Sequence, residues 1–533
     1  MTNFYSAQFV VFISISLICY YTFLRKKQWV CLLIASVAFY YCTGIENFLF
    51  LLITGFSTWI GAKCLKKYSE ELLRVRKEAG LEKSTKEVVK AKIVRKRRII
   101  MWSIVLLNFG MLAYFKYVSV VMENIAGIFW INLQNNAVYN HVLGLVLPLG
   151  ISFYMFQSLS YLLDVYNGKY EPEKNFAKYM LFVSYFPQMI QGPINRYDII
   201  SEELQKLHLW NSEKVVKALY RVFYGLFKKY AIANIFAGVI ANIFDNPVRD
   251  YSGAMVSVGI LLYSAQQYAD FSGGIDMVLG VSELFGVPMT ENFRQPYFAT
   301  SLADFWRRWH ISLGKWMRDY VFYPFALTKP MKKFGKWVNK SLNKHLGRVL
   351  PAALGNILVF FVVGLWHGAE WHYIVWGIYN GVIIAFSDIF APTFSRMVTT
   401  LHINTKTSWY YIFQVVRTFI VVNIGWYFDR IADVKVALYS LKKSIFDFNI
   451  EMFKTEYSIV FDGYPNYILF IAISACIVVF VISVLYERKN DVRSMLYGAP
   501  IGIRWIVYLF VIGVILFANT CTKGAGGFMY ANF

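Results

Sequence analysis

Apolar stretches long enough to cross a membrane recur along the whole of this 533-residue chain. A helix needs about 20 apolar residues to span about 30 Å of hydrocarbon, and its backbone satisfies its own hydrogen bonds there. The pattern therefore predicts an all-α polytopic membrane protein, a bundle of about 11–13 transmembrane helices with interfacial or re-entrant helices. The predicted spans are 7–24, 29–45, 47–65, 99–119, 143–163, 178–195, 217–243, 253–282, 350–367, 371–391, 410–428, 465–485 and 501–520.

Composition agrees with this class and excludes several others. The chain is 57% apolar, and 16% of its residues are charged, against about 25% in an ordinary soluble domain. An apolar excess of this size excludes a disordered chain, and six cysteines are too few for a secreted disulfide scaffold. The net charge of +22 is clustered between apolar runs, which indicates loops facing anionic lipid rather than nucleic acid.

The distribution of Lys and Arg predicts the orientation. Basic residues concentrate at 25–27, in a loop at 63–98, in an amphipathic segment at 304–348 and at 488–504. The excess of cations on cytoplasmic loops places these segments inside and both termini outside. For the 63–98 loop, a solvated connector is favoured over a charged helix.

Residues 304–326, DFWRRWHISLGKWMRDYVFYPFA, are too polar to span a membrane. Tryptophans alternate there with arginines and lysines, as in a helix that lies at the interface or re-enters the membrane. Composition favours an anchor on the membrane surface, with the aromatic rings at headgroup depth.

His367 ends the apolar run Ile357–Trp366. An ionisable side chain at membrane depth is a candidate functional group, and imidazole is a suitable general base for a hydroxyl. The competing interpretation, a buried histidine bonded between helices, has equal weight. Gly364 and Gly368 allow close approach of either a substrate or a neighbouring helix.

His310 is the second candidate, in the cluster WRRWH at 306–310. The adjacent Arg307 and Arg308 favour a neutral imidazole, which suits a base or a hydrogen-bond partner. For most of Asp304, Asp319, Arg307, Arg308 and Arg318, a structural ion network is favoured over catalysis.

Two further acids, Asp270 and Asp276, lie in an apolar setting. They either bind substrate or tie helices together, and the second interpretation is favoured. No Gly-x-Ser-x-Gly elbow, HExxH helix or CxxC pair is present, so the sequence predicts neither a metal site nor soluble hydrolase chemistry.

The C-terminal segment 521–533 combines glycines with the ending FMYANF at 528–533. Its aromatic residues either fold back into a membrane cavity or form an interfacial tail, and composition favours the tail.

Ten short motifs, taken in order, resemble the membrane-bound O-acyltransferase family, and in particular its bacterial cell-surface branch. That branch acts in alginate O-acetylation and teichoic-acid D-alanylation. The motifs are LPLGISFY at 147–154, FQS at 156–158, DVY at 164–166, FPQ at 186–188, GPI at 192–194, DFSG at 270–273, ENF at 291–293, DFWRRWHISL at 304–313, RDY at 318–320 and GLWHG at 364–368.

The resemblance implies one membrane-embedded domain over 1–533 with a central channel. It implies that His367 is the catalytic histidine and that His310 is the second signature position. The ending resembles the FxYxxF tail of this branch, in which Tyr530 takes an acyl group. Residues that would support the catalytic groups or line the channel are Trp306, Arg307, Arg308, Trp309, Trp366 and Asp270.

The expected function is that of an O-acyltransferase of the bacterial plasma membrane, with no tightly bound cofactor. It would move acetyl from a cytoplasmic thioester, acetyl-CoA, toward a cell-surface polysaccharide, and an extracellular esterase-like partner would complete the transfer. The alternatives are D-alanyl transfer from a carrier protein to teichoic acid and, in a different class, a polysaccharide transporter or flippase.

Overall fold

The computed structural model describes residues 6–78, 82–133, 136–144, 147–245 and 250–521. Helices of 19 or more residues are Ile45–Lys77, Lys83–Phe129, Ser212–Phe244, Gly253–Leu284, Lys344–His367, Trp371–Ile389, Ser408–Arg430, Asn466–Glu487 and Ile501–Cys521. Shorter helical segments are Ala7–Phe23, Gln28–Tyr41, Ala137–Leu143, Ile151–Tyr166, Phe176–Ser184, Gln188–Gln191, Tyr197–Gln205, Pro296–Phe298, Leu302–Arg308, Ile311–Met317, Arg318–Phe322, Tyr323–Ala326, Lys329–Ser341, Ala391–Thr400, Val434–Phe446, Ile450–Val460 and Val492–Gly498. Within the described ranges, extended pairing is limited to an isolated antiparallel bridge between Phe293 and Trp309.

The all-α membrane class is confirmed, and the number of candidate spans is lower than expected. Among the described residues, 7 helices are long and apolar enough to cross a membrane. The count reaches 8 if Trp371–Ile389 and Ala391–Thr400, which meet at a bend of 56°, form one span.

Burial within the protein explains part of the difference from the predicted number. Helix Ile151–Tyr166 has 16 residues and is buried along almost its whole length. The predicted span 178–195 is interrupted around Pro187, between helices Phe176–Ser184 and Gln188–Gln191. An apolar run in a sequence does not distinguish a lipid neighbour from a protein neighbour, so runs buried in the protein were counted as spans.

The described residues fall into two compact units. The first comprises the residues up to Ala218 together with Val278–Thr290, and the second comprises Leu219–Met277 and the residues from Glu291 onward.

In the first unit, most of the basic segment 63–98 is helical rather than a solvated connector. Helices Ile45–Lys77 and Lys83–Phe129 extend into it from both sides. Leu72 and Val75 of one helix pack against Ile93 of the other, and all three side chains are buried. Apolar residues at helical spacing therefore pair the two helices, an arrangement that net charge alone does not reveal.

The LPLGISFY and FPQ motifs build the buried part of the first unit. Gly150 has φ +69°, and a Cβ there would come within 2.1 Å of the Met189 carbonyl oxygen, so only glycine fits. Gln188 donates to Gln157 at 3.3 Å and accepts from Asn195 at 3.0 Å. These amides hydrogen-bond to one another in the interior of the first unit.

In the second unit, two long helices meet at glycines. A Cβ at Gly225 of helix Ser212–Phe244 would lie 2.5 Å from the carbonyl oxygen of Gly273, on helix Gly253–Leu284. This close approach brings the buried Lys228 ammonium within 2.6 Å of Asp276 and 2.8 Å of Ser272. The contact between the glycines therefore permits charged side chains to pair between two largely apolar helices.

Candidate active site

His367 is the last residue of helix Lys344–His367. The helix begins where Asn343 accepts a hydrogen bond from the Leu346 N–H at 2.9 Å, and it ends because Gly368 is extended. The imidazole is 5% exposed. Its ring centroid lies 4.8 Å from that of Trp366, 5.9 Å from that of Tyr373 and 5.0 Å from that of Trp376. The candidate base is thus enclosed by aromatic rings.

A neighbouring helix fills the space beside Gly364 into which a side chain would extend. A Cβ at Gly364 would lie 2.4 Å from the Tyr373 carbonyl oxygen and 3.4 Å from the Cα of Gly377. Of the two uses that the sequence left open, close approach of a helix is therefore the one observed, and that helix is Trp371–Ile389.

His310 lies between helices Leu302–Arg308 and Ile311–Met317 and is 4% exposed. Its ring centroid is 4.9 Å from that of Phe271 and 5.9 Å from that of Trp366. Trp366 therefore contacts both candidate histidines, so the fold brings the two signature motifs into one aromatic cluster.

Burial lowers the pKa of His310 to about 3, because an imidazolium is poorly solvated in this setting. The sequence predicted a neutral imidazole because of the adjacent arginines. In the structure, burial of the ring is the main cause of the lowered pKa. A neutral His310 has a lone pair at neutral pH, as a proton acceptor requires.

The expectation of a surface anchor at 304–326 is wrong for its central tryptophans. Trp309 is 1% exposed and packs against Phe293 and Trp426, with ring centroids at 5.0 and 5.6 Å. The Trp306 indole N–H donates to Asn380 Oδ1 at 2.9 Å. Both rings contact other parts of the chain, because the segment breaks into short helices, and the first two, Leu302–Arg308 and Ile311–Met317, bury part of their surface inside the protein.

The ion network favoured for Asp304 and the arginines is confirmed. Arg308 donates to Asp304 at 3.0 Å and to Glu487, which ends helix Asn466–Glu487, at 2.9 Å. Arg307 is exposed, with 3.5 Å between its Nη2 and Asp304 Oδ1. Arg308 thus ties the signature segment to a long helix.

Asp270 and Asp276 tie helices together, as favoured from the sequence. Asp270 pairs with Lys229, and Asp276 pairs with Lys228 and with Arg221, the latter at 3.0 Å. These three cations were not predicted as partners of the two aspartates. They were detectable as Lys and Arg within the apolar run 217–243.

Asn292, in the ENF motif, was likewise not assigned, although it is fully buried and its Oδ1 lies 3.3 Å from His310 Nδ1. His372 is also buried, and its Nδ1 lies 2.9 Å from the Phe428 carbonyl oxygen. Tyr530 lies outside the described residues. Among those that are described, no three His, Cys, Asp or Glu side chains form a group able to hold a metal ion.

Comparison with known proteins identifies the family. Residues 97–427 match the membrane-bound O-acyltransferase family, MBOAT. The chain is 28% identical to the "Probable alginate O-acetylase AlgI" of Azotobacter vinelandii over 496 residues, covering 92% of this chain and 85% of that protein.

Two relatives carry other names. The peptidoglycan O-acetyltransferase of Helicobacter pylori is 29% identical, covering 63% of this chain and 62% of that protein. The teichoic acid D-alanyltransferase of Bacillus subtilis is also 29% identical, covering 61% of this chain and 82% of that protein. The family match includes both histidines and extends over more than half of the sequence. The chain is therefore a multi-pass membrane enzyme of the membrane-bound O-acyltransferase family.

Proposed function

We propose that this enzyme moves an acetyl group from a cytoplasmic thioester, acetyl-CoA, across the bacterial plasma membrane for O-acetylation of a cell-surface polysaccharide. The observation that carries the proposal is the joining of His310 and His367 by the Trp366 ring, in a chain similar over 92% of its length to a named alginate O-acetylase. That name belongs to the relative, and polysaccharide acetylation by this chain is our inference.

In the proposed reaction, His367 takes the proton from the Tyr530 hydroxyl. The phenolic oxygen then attacks the thioester carbonyl carbon, the carbon–sulfur bond breaks, and the departing thiolate takes the proton from His367. The products are a free thiol and an acetyl ester on Tyr530. A base is required because a phenol with a pKa of about 10 is a poor nucleophile at neutral pH.

An extracellular esterase-like partner would then move the acetyl group from Tyr530 to a glycan hydroxyl. The charge-based orientation, which places the C-terminus outside, supports this order of events. Exchange of a thioester for an ester needs mainly positioning and proton transfer, which buried imidazoles can supply.

The test is intact-mass analysis and peptide mapping of the purified full-length protein after incubation with acetyl-CoA. We expect one acetyl group on the C-terminal peptide of the wild type, and none on the variants His367→Gln and Tyr530→Phe. Exposed residues provide matched controls: His141→Gln and Tyr467→Phe should label like the wild type. Equal labelling of His367→Gln and the wild type would refute the role of His367.

D-alanyl transfer is the second candidate, because the teichoic acid D-alanyltransferase of Bacillus subtilis has an identity similar to that of the alginate relative. Parallel reactions with acetyl-CoA and with a D-alanyl carrier protein separate the two. Consumption of only the carrier-bound donor would replace acetyl with D-alanyl in the proposal. Movement of polysaccharide without covalent label would instead favour the transporter alternative.

A further inference from the structure

The side chain of Asn292 contacts His310 at a position that determines which imidazole nitrogen carries the proton. Asn292 Oδ1 lies 2.9 Å from the Ser312 backbone nitrogen, 2.9 Å from Ser312 Oγ and 3.3 Å from His310 Nδ1. The backbone N–H can only donate, so the amide must present its oxygen to Ser312. The same oxygen then faces His310.

A carbonyl oxygen only accepts hydrogen bonds, so His310 Nδ1 must carry the hydrogen in this contact. In a neutral imidazole the other nitrogen, Nε2, then holds the lone pair. We propose that Asn292 is a positioning residue that keeps His310 in the Nδ1–H tautomer, with Nε2 as a hydrogen-bond acceptor in the acyl-transfer site, where His367 is the base. Its catalytic consequence rests on the proposed function, whereas the tautomer itself does not.

The backbone around Asn292 is held from both sides. Its carbonyl oxygen accepts from the Ile311 N–H at 3.0 Å, and the Arg294 N–H donates to the Arg308 carbonyl oxygen at 2.9 Å. The preceding residue, Glu291, forms a two-point ion pair with Arg221, including a 2.8 Å bond from Nη1 to Oε1. The ENF segment therefore presents the amide from a fixed backbone.

The conformation of His310 indicates why such a support is needed. His310 has φ +50°, in the left-handed region that residues other than glycine rarely adopt. Such a conformation persists when surrounding contacts determine it. The bonds from Asn292 to residues 310, 311 and 312 are contacts of that kind, and they set both the backbone and the direction of the ring.

The other elements packed on His310 present apolar rings to it, Phe271 edge-on and Trp366 at its flank. Their charged neighbours are paired with other groups. These pairs are Asp270 with Lys229, Asp276 with Lys228 and Arg221, and Arg308 with Asp304 and Glu487. Asn292 therefore supplies a neutral acceptor at Nδ1, which favours the Nδ1–H tautomer over the Nε2–H tautomer.

Two substitutions separate tautomer control from packing. Asn292→Leu has a similar volume and no acceptor, so His310 can carry its hydrogen on Nε2, and we expect kcat to fall about 100-fold with little change in KM, the size of effect seen when proton transfer in a site is impaired. Asn292→Asp keeps an acceptor at Nδ1, so kcat at pH 8 should stay within about tenfold of the wild type. Asn108→Leu is the matched control, because Asn108 is equally buried and donates to Ser57 and Ile104.

The pH profile of Asn292→Asp adds a readout that a merely structural role would not change. A carboxylate beside Nδ1 stabilises the imidazolium, so the acid limb of kcat should move to higher pH in this variant. The proposal would be overturned if the acid limb of kcat in Asn292→Asp falls at the same pH as in the wild type. Equal losses of kcat in Asn292→Asp and Asn292→Leu would also overturn it.

A measurement without turnover tests the tautomer directly. ¹⁵N NMR of the full-length protein labelled at its seven histidines distinguishes protonated Nδ1 from protonated Nε2, and subtracting the His310→Asn spectrum assigns His310. We expect the Nδ1–H form in the wild type and a shift toward Nε2–H in Asn292→Leu. If His310 of the wild type carries its hydrogen on Nε2, the proposal is overturned even if acetyl transfer is confirmed. If it carries the hydrogen on Nδ1, the proposal is supported even if the donor is not acetyl-CoA.

Discussion

Two of the buried polar regions among the described residues of the second unit have opposite character. Where helices Ser212–Phe244 and Gly253–Leu284 meet, Lys228 and Lys229 each face an aspartate. Around His310 and His367, in contrast, the neighbours are mainly aromatic rings. The difference teaches that charged residues at membrane depth are not by themselves evidence of chemistry. Paired charges join helices, whereas the two candidate histidines are enclosed mainly by aromatic rings.

The largest expected effect comes from breaking a charge pair. Asp270→Asn leaves the Lys229 ammonium buried without its carboxylate, which should destabilise the protein by about 3–5 kcal/mol. Thermal unfolding of the detergent-purified protein measures this loss. Because an uncompensated charge is the cause, the double variant Asp270→Leu, Lys229→Met should recover most of the stability. Failure to recover would mean that the pair has a role beyond neutralising charge.

A second change acts on the aromatic region without adding charge. Gly364→Ala places a methyl group 2.4 Å from the Tyr373 carbonyl oxygen, so helices Lys344–His367 and Trp371–Ile389 must separate. We expect about 1–3 kcal/mol of destabilisation from the overpacking, together with lower acyl transfer because His367 shifts. Gly513→Ala, at a helical glycine with open space around it, is the control for thermal unfolding and transfer rate. Wild-type transfer by Gly364→Ala would show that the close approach is unnecessary for activity.

The third prediction uses pH to distinguish the two regions. Burial lowers the pKa of His310 to about 3, whereas an unfolded histidine titrates near 6.5, so the unfolded state binds its proton first as the pH falls. This residue should therefore destabilise the fold by up to about 1.4 kcal/mol for each pH unit between 6.5 and 3. Melting temperatures at pH 7 and pH 5 should differ less in His310→Gln than in the wild type. The same difference in both proteins would show that His310 does not titrate with unfolding.

The smallest effect is expected at an exposed charge pair. Glu213 bonds Lys217 at 2.6 Å, with its side chain 51% exposed, so Glu213→Gln should cost less than about 1 kcal/mol. Measured beside Asp270→Asn, this variant shows how strongly burial determines the contribution of an ion pair. A loss equal to that of Asp270→Asn would contradict the comparison between exposed and buried pairs.

Much of the fold class was available from the sequence. Apolar runs predicted the helical membrane protein, and the isolated His367 in such a run identified the candidate base. The helix-tying role of Asp270 and Asp276 was also anticipated, because acids in an apolar setting require partners. The cations that pair with them were not anticipated, since pairing along two helices depends on the close contact of Gly225 and Gly273.

Errors were concentrated where the same residues suit lipid and protein neighbours equally well. Trp309 has the composition of a membrane-surface residue, yet it packs against Phe293 and Trp426. The helical packing within the basic 63–98 segment was missed for a related reason. Apolar residues such as Leu72 and Ile93 are few there and lie among many cations. In both cases the outcome depended on which side chains are covered by another part of the chain.

By itself the sequence determined the helical class, the membrane setting and the two signature histidines, because hydropathy and residue chemistry are local properties. Only the tertiary structure decided that Trp366 touches both His310 and His367, and that the amide of Asn292 faces His310 Nδ1. The physical reason is that tautomer, burial and ring contacts depend on atoms contributed by distant parts of the chain. A linear pattern identifies a candidate histidine, and packing determines which of its ring nitrogens carries the hydrogen.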